Sequence, residues 1–186
     1  MNYVRSTGRR TDEPSRAVSF CSPAARAVEA QYLQSLLPGR AAAVTITDYY
    51  YNNMLYWMGG FYYGPNFRKK LLQAYSSSTA PDLEALDWRW SALLFAILSS
   101  SIIASPEALA STWGFSCDDK VRLSRDWGAA AASCLNMGNY NSQYHICSVQ
   151  AIYVLHAYEH LVGCTNQWVA LKGTAIVIAK GLGLHK

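Results

Sequence analysis

The chain contains no Cys-x-x-Cys pair and no Asp or Glu beyond Glu159, and only 15% of its residues are charged. Each shortage excludes something. Without paired cysteines at close spacing there is no zinc ribbon and no dithiol redox motif. The five that exist (Cys21, Cys117, Cys134, Cys147, Cys164) are widely spread and odd in number, so they read as free, mostly buried thiols in a reducing compartment. The sparse charge leaves little polar material to cover the outside and favours burial against a partner. A net charge of +4 is mild, and part of it sits in Arg5, Arg9, Arg10 and Arg16, so the body carries no basic stripe of the kind direct nucleic-acid binding uses. The opening segment has no apolar signal-like run. The most apolar stretch, Ser91 to Ala104, is shorter than the roughly 20 residues a bilayer requires and is interrupted by three serines. The chain therefore reads as soluble and intracellular.

What is present is apolar material: 51% of the 186 residues, enough for a single domain with an ordinary core. Residues 1–21 are polar, Arg-rich and interrupted by Gly8 and Pro14, which predicts a flexible lead-in. Order is expected from 22 to 186. Ser22 with Pro23 starts a helix whose Val28, Tyr32, Leu36 and Leu37 share a face until Pro38-Gly39. In "VTITDYYYNNMLYWMGG", Thr47-Asp48 reads as a helix start, with Tyr51, Leu55 and Met58 on one face and Gly59-Gly60 ending it; "YYGPNF" reads as a turn that positions Phe67. Asp87 or Asp82 opens a helix through Trp90, Leu94 and Ile97 that becomes apolar on every side and so is buried. Ser105-Pro106-Glu107 restarts a short helix. Three more follow: from Asp118 to Gly138, through Ile146, Ile152 and Leu155 to Val162-Gly163, and along Trp168, Leu171, Ala175, Ile178 and Leu182 to Gly183. No strand pair or hairpin turn emerges, so the expected class is all-α, a multi-helix bundle with orthogonal and antiparallel packing.

Two stretches invite chemistry. "GLGLHK" at the end looks like a glycine loop for phosphate, but a phosphate cradle needs its glycines between a strand and the start of a helix. Here Gly181 and Gly183 follow a helix, where glycine caps and Lys180, His185 and Lys186 suit the carbonyl end. "HAYEH" matches a zinc-peptidase order: His156 and His160, four apart on a helix, as ligands, with Glu159 as base. A further acidic ligand is missing downstream, and Cys164 or Cys147 would give a closed structural site. The tyrosines of 49–63 read as core and interface packing, since only Arg68, Lys69 and Lys70 lie near enough to serve a base-stacking groove. No G-x-S-x-G elbow occurs. The residues therefore assign no catalytic, cofactor-binding or metal site, and the expectation is a non-enzyme.

Taken in order, "ALLFAILS", "SVQAIYVLHAYEHLVG" and "QWVALKGTAIVIAKGLGLHK" resemble the regulatory middle homology domain of fungal zinc-cluster transcription factors, also called the xylanolytic activator regulatory domain. The last piece is similar to its W-x-x-x-x-G-x-A-x-x-x-A-x-x-L-G-L-H signature through Trp168, Gly173, Ala175, Ala179, Leu182, Gly183, Leu184 and His185. The resemblance covers roughly residues 32 to 186, with "YLQSLLPGR" and "YYGPNF" as weaker landmarks. Val177 stands where the family usually has a basic residue. The resemblance implies a nuclear, transcription-regulatory domain. It also implies a partial, C-terminally incomplete copy, because the family's domains run on for more helices. DNA binding and zinc would belong to a separate six-cysteine module, so no cofactor is expected in this chain. Protein partners or self-association are expected, and a membrane is not. The competing reading from the residues alone is a helical metal-dependent hydrolase or small-ligand domain built on His156, Glu159 and His160.

Overall fold

The computed structural model describes residues 22–56, 62–76, 81–163 and 166–186, without the side chains of Ala157, His160, Gln167 and Trp168. Among them there is no strand, and eight α-helices follow one another: α1 (Pro23–Ser35), α2 (Arg40–Tyr49), α3 (Gly64–Ala74), α4 (Trp88–Ala104), α5 (Glu107–Thr112), α6 (Cys117–Met137), α7 (Ile146–Val162) and α8 (Asn166–Gly181). The expected all-α multi-helix bundle is what forms.

Most boundaries follow from side chains that satisfy the free N–H groups of a first turn. Ser22 caps α1 by accepting from Ala25 N–H, with Pro23 just inside. Asp87, not Asp82, caps α4 by accepting from Arg89 and Trp90 N–H, and Arg89 folds back on the same carboxylate at 2.7 Å. These bonds, the Arg89 side chain first, hold the Asp87 carboxyl down at about 2. Ser116 and Asp119 form a reciprocal capping box, so α6 begins at Cys117, one residue before the sequence reading placed it.

The helix α4 organises the rest. Every residue from Trp90 to Ile102 is buried, as its all-round apolar pattern predicted. It runs antiparallel to α6, since Arg89 lies against Gly138, Ser99 donates to the Ser124 carbonyl at 2.9 Å, and Lys120 donates to the Ser105 carbonyl. On its other side lies α7, where Ser100 donates to the Val154 carbonyl at 3.3 Å. The small serines let the backbones come close. Gly128 does the same from α6, where an added Cβ would sit 3.0 Å from the Tyr158 ring and 3.4 Å from Ser99 Oγ. At the far end of α4, the buried Lys120 ammonium meets the carbonyl end, where a cation is favoured. Trp127 Nε1 donates to the Leu36 carbonyl at 2.8 Å and Arg26 to Met137 at 3.2 Å, tying α1 to α6.

Several expectations are corrected. "YYGPNF" is not a plain turn: α3 starts at Gly64 with Pro65 in its first turn, where a proline lacking N–H is suited, and Phe67 is buried within it. The helix expected to start at Thr47-Asp48 starts at Arg40. After Tyr49 it widens into one π turn, Tyr50–Met54, closed by Leu55 N–H on the Tyr50 carbonyl at 2.9 Å. Tyr50 is buried and Tyr51 exposed, the reverse of the expected stripe, because Tyr50 continues the buried face of Ala43, Ile46 and Thr47 at helical spacing. On α1, Val28 and Tyr32 face solvent while Ala30 and Leu33 are buried. Met58, Gly59-Gly60 and the 1–21 lead-in lie outside the described residues.

Candidate functional site

The residues singled out for chemistry gather on the α7–α8 hairpin. His145 caps α7, its Nδ1 accepting from Cys147 N–H at 3.1 Å. Gly163, at φ +100°, takes the chain out of α7 in a conformation that other residues resist. With Glu159 against Lys172 and Tyr144, just before α7, against Gly181 at the end of α8, the two helices run antiparallel.

Glu159 is the centre of the site. It is only 4% exposed, and its Oε2 receives Lys172 Nζ of α8 at 2.6 Å and faces His156 Nδ1 of α7 at 3.1 Å. With the proton on Nδ1, the imidazole donates to the carboxylate, and the Tyr153 ring packs edge-on against it, 6.2 Å between centroids. A carboxylate so far from water is tolerated when cations and donors surround it. What this arrangement does chemically is clamp one helix to the other at a fixed register.

The metal reading needs Glu159 as a base between two histidine ligands. In the structure the carboxylate is committed to Lys172 and to His156 itself. The His160 side chain and Cys164 lie outside the described residues. Cys147 sits nine residues before His156 on the same helix, about 13 Å along its axis, too far to complete a site there. Among the described residues no three His, Cys, Asp or Glu side chains gather. The described cysteines stand apart: Cys117 exposed, Cys134 buried, Cys147 half-buried. A hydrogen bond to Glu107 pushes the Cys117 thiol up, and burial pushes up Cys134 and Cys147, so none is poised as a thiolate. They do not fit a six-cysteine zinc cluster.

The terminal glycines have two different structural tasks. Gly183 sits at φ +76°, its N–H donating to the Lys180 carbonyl and Leu184 N–H to the Ala179 carbonyl, both at 3.0 Å. That pair of bonds is a Schellman closure, which consumes the amides a phosphate cradle would offer. At Gly181 the Tyr144 ring lies where a Cβ would stand, 2.6 Å away.

In the tyrosine-rich stretch Tyr50 and Tyr62 pack in the core, whereas Tyr51, Tyr56 and Tyr63 are exposed. Tyr50 stacks on Tyr62, Tyr62 meets Phe67 and Phe67 meets Trp90 at a tilt, and Lys70 lies 5.0 Å over the Trp90 ring. Burial pushes the Tyr50 and Tyr62 phenols above their usual range. Beside them, Asp48 and Arg68 pair through two bonds of 2.9 and 3.0 Å at the rim of a pocket of about 180 Å³, small beside ordinary ligand sites.

Sequence reasoning missed Lys172. Its signal was available: Glu159 is the last acid of the chain and Lys172 the first lysine after it, one hairpin away. Among the described residues no helix is long and apolar enough to cross a membrane. No family model, no curated protein and no solved structure matches the chain.

Proposed function

We propose that residues 22–186 form a transcription-regulatory helical domain of the fungal zinc-cluster type, working in the nucleus beside a separate DNA-binding module and restraining or coupling it through protein contacts. The observation that carries this reading is the terminal segment. Of its signature residues, Trp168, Gly173, Ala175 and Ala179 lie on α8 and Leu182 to His185 follow its end; Leu171 and Ile178 of the same helix are buried on one stripe, and the last glycine closes the helix instead of opening an anion site. The other two pieces of the resemblance support it by falling on interior helices, "ALLFAILS" within α4 and "VQAIYVLHAYEHLV" within α7. DNA contact and zinc belong to the separate module in this reading, and the chain is not an enzyme.

The experiment fuses the chain to a zinc-cluster DNA-binding module with a promoter reporter. Deleting the chain, or unseating α8 with Ile178→Asp, changes output at equal protein level; unchanged output in both removes the proposal. The rival hydrolase reading on His156, Glu159 and His160 is separated by metal analysis of the purified chain. Bound zinc lost together with a hydrolytic activity in His156→Ala and His160→Ala would replace the regulatory reading.

A further inference from the structure

We infer that the outward face of α8 is an interface between two copies of this chain, packed antiparallel and crossing at Gly173. The side of α8 turned from the core is apolar and uncovered: Val169, Ile176 and Val177 are 57%, 58% and 55% exposed, and Leu184 beyond the cap is 56% exposed. At the middle of that face stands Gly173. Glycine is the poorest helix former after proline, yet nothing among the described residues requires it, because a Cβ there would meet none of their atoms within 4 Å. A bare backbone in the centre of an apolar helix face is where a second helix approaches closely.

The pattern about Gly173 is what a two-fold axis asks of a self-complementary patch. Four residues to either side stand Val169 and Val177, which face each other across the axis. Three to either side stand Ala170 and Ile176, small against large. Seven to either side stand Asn166 and Lys180, both exposed, so each ammonium meets the amide of the second copy. The two Lys180 charges end up about 20 Å apart, well beyond the screening distance in physiological salt, so they do not oppose the pairing. A parallel pairing would set lysine against lysine. The exposed parts of these side chains amount to on the order of 500 Å² per copy, about 1,000 Å² in all, which is the floor for a specific interface and implies a weak, micromolar dimer. This inference stands apart from the transcriptional reading, since the dimer forms or fails whatever a promoter does.

Sedimentation equilibrium of the full chain, loaded from about 1 to about 100 µM where an interface of this size dissociates, should show a monomer–dimer equilibrium. Val177→Lys and Ile176→Lys, on exposed positions, should each weaken it about tenfold or more with unchanged circular dichroism. Gly173→Ala separates the roles: an incidental helix glycine replaced by alanine raises the melting temperature and leaves association alone, whereas here the melting temperature rises and the dimer weakens. Gly173→Cys should oxidise to a dimer linked through that position, and Lys180→Cys should not link to itself. A chain monomeric throughout, a dimer indifferent to Val177→Lys, or a monomer that instead sediments with anionic phospholipid vesicles overturns the inference.

Discussion

Replacing Lys172 by methionine tests the clamp between α7 and α8 most directly, because methionine keeps the apolar stem and removes only the charge. At 2.6 Å and an effective dielectric near 20, the gross attraction between Lys172 Nζ and the Glu159 carboxylate is about 6 kcal/mol. Most of that offsets the desolvation of a carboxylate almost wholly removed from water. The Lys172 side chain is 35% exposed, so solvent screens its end of the pair, and His156 remains beside the same oxygen. The expected net loss is about 2 kcal/mol, below the 3–5 kcal/mol typical of breaking a fully buried pair. With a urea slope of about 2 kcal/mol per molar, the unfolding midpoint falls by about 1 M. Adding Glu159→Gln to Lys172→Met removes the stranded charge and should recover at least half of the loss, which a double-mutant cycle reports as coupling. A Lys172→Met midpoint within about 0.2 M of the parent, corresponding to less than about 0.5 kcal/mol, would show that the contact does not fix the hairpin.

Asp87→Ala removes the cap of α4 and should lower stability by about 1 kcal/mol in chemical denaturation. The same group gives a pH dependence: its folded value lies near 2, below the ordinary 3.8, so its contribution is fully present above pH 4 and is lost as pH falls from 4 towards 2, a loss absent from the Asp87→Ala titration. Gly183→Ala puts a Cβ at φ +76° and should destabilise by about 1 kcal/mol, with Gly183→Asn losing less, as thermal melts would show. Gly128→Val forces two methyl groups beyond a Cβ already 3.0 Å from Tyr158, and should lower stability by about 2 kcal/mol, whereas Gly173→Val, on open space, should be tolerated.

How far the sequence carries differs from residue to residue. Ser22 and Gly183 announced their roles because capping is local chemistry, decided within four residues of the cap, whereas the sequence left the start of α4 open between Asp82 and Asp87. The all-round burial of α4 was legible because no face of it reads polar apart from its serines. Those serines were read only as a break in an apolar run; their use as the close-contact seam with α6 and α7 depends on which helices arrive there. The α3 helix was hidden behind Gly64-Pro65, a pair that marks a turn as readily as a first helical turn. Which tyrosine of 50 and 51 is inside was decided by where the helix starts: with α2 beginning at Arg40, Tyr50 continues the face of Ala43, Ile46 and Thr47, and Tyr51 falls beside it. In the candidate site, the four-residue spacing of His156 and His160 was visible, and so was Lys172 as the first lysine after the last acid, but the contact that joins Lys172 to Glu159 was not read from it.

Taken alone, then, the sequence determined an all-α chain, the cap of its first helix, its glycine-closed end and one fully buried helix, because these depend on periodicity and on groups within a turn of one another. Only the tertiary structure decided that α4 lies between α6 and α7, that Glu159 answers to Lys172, and that Val169, Ile176 and Val177 are left outside. Those outcomes depend on which surfaces meet after the loops close, and contacts between residues far apart in the chain leave no local periodicity to read.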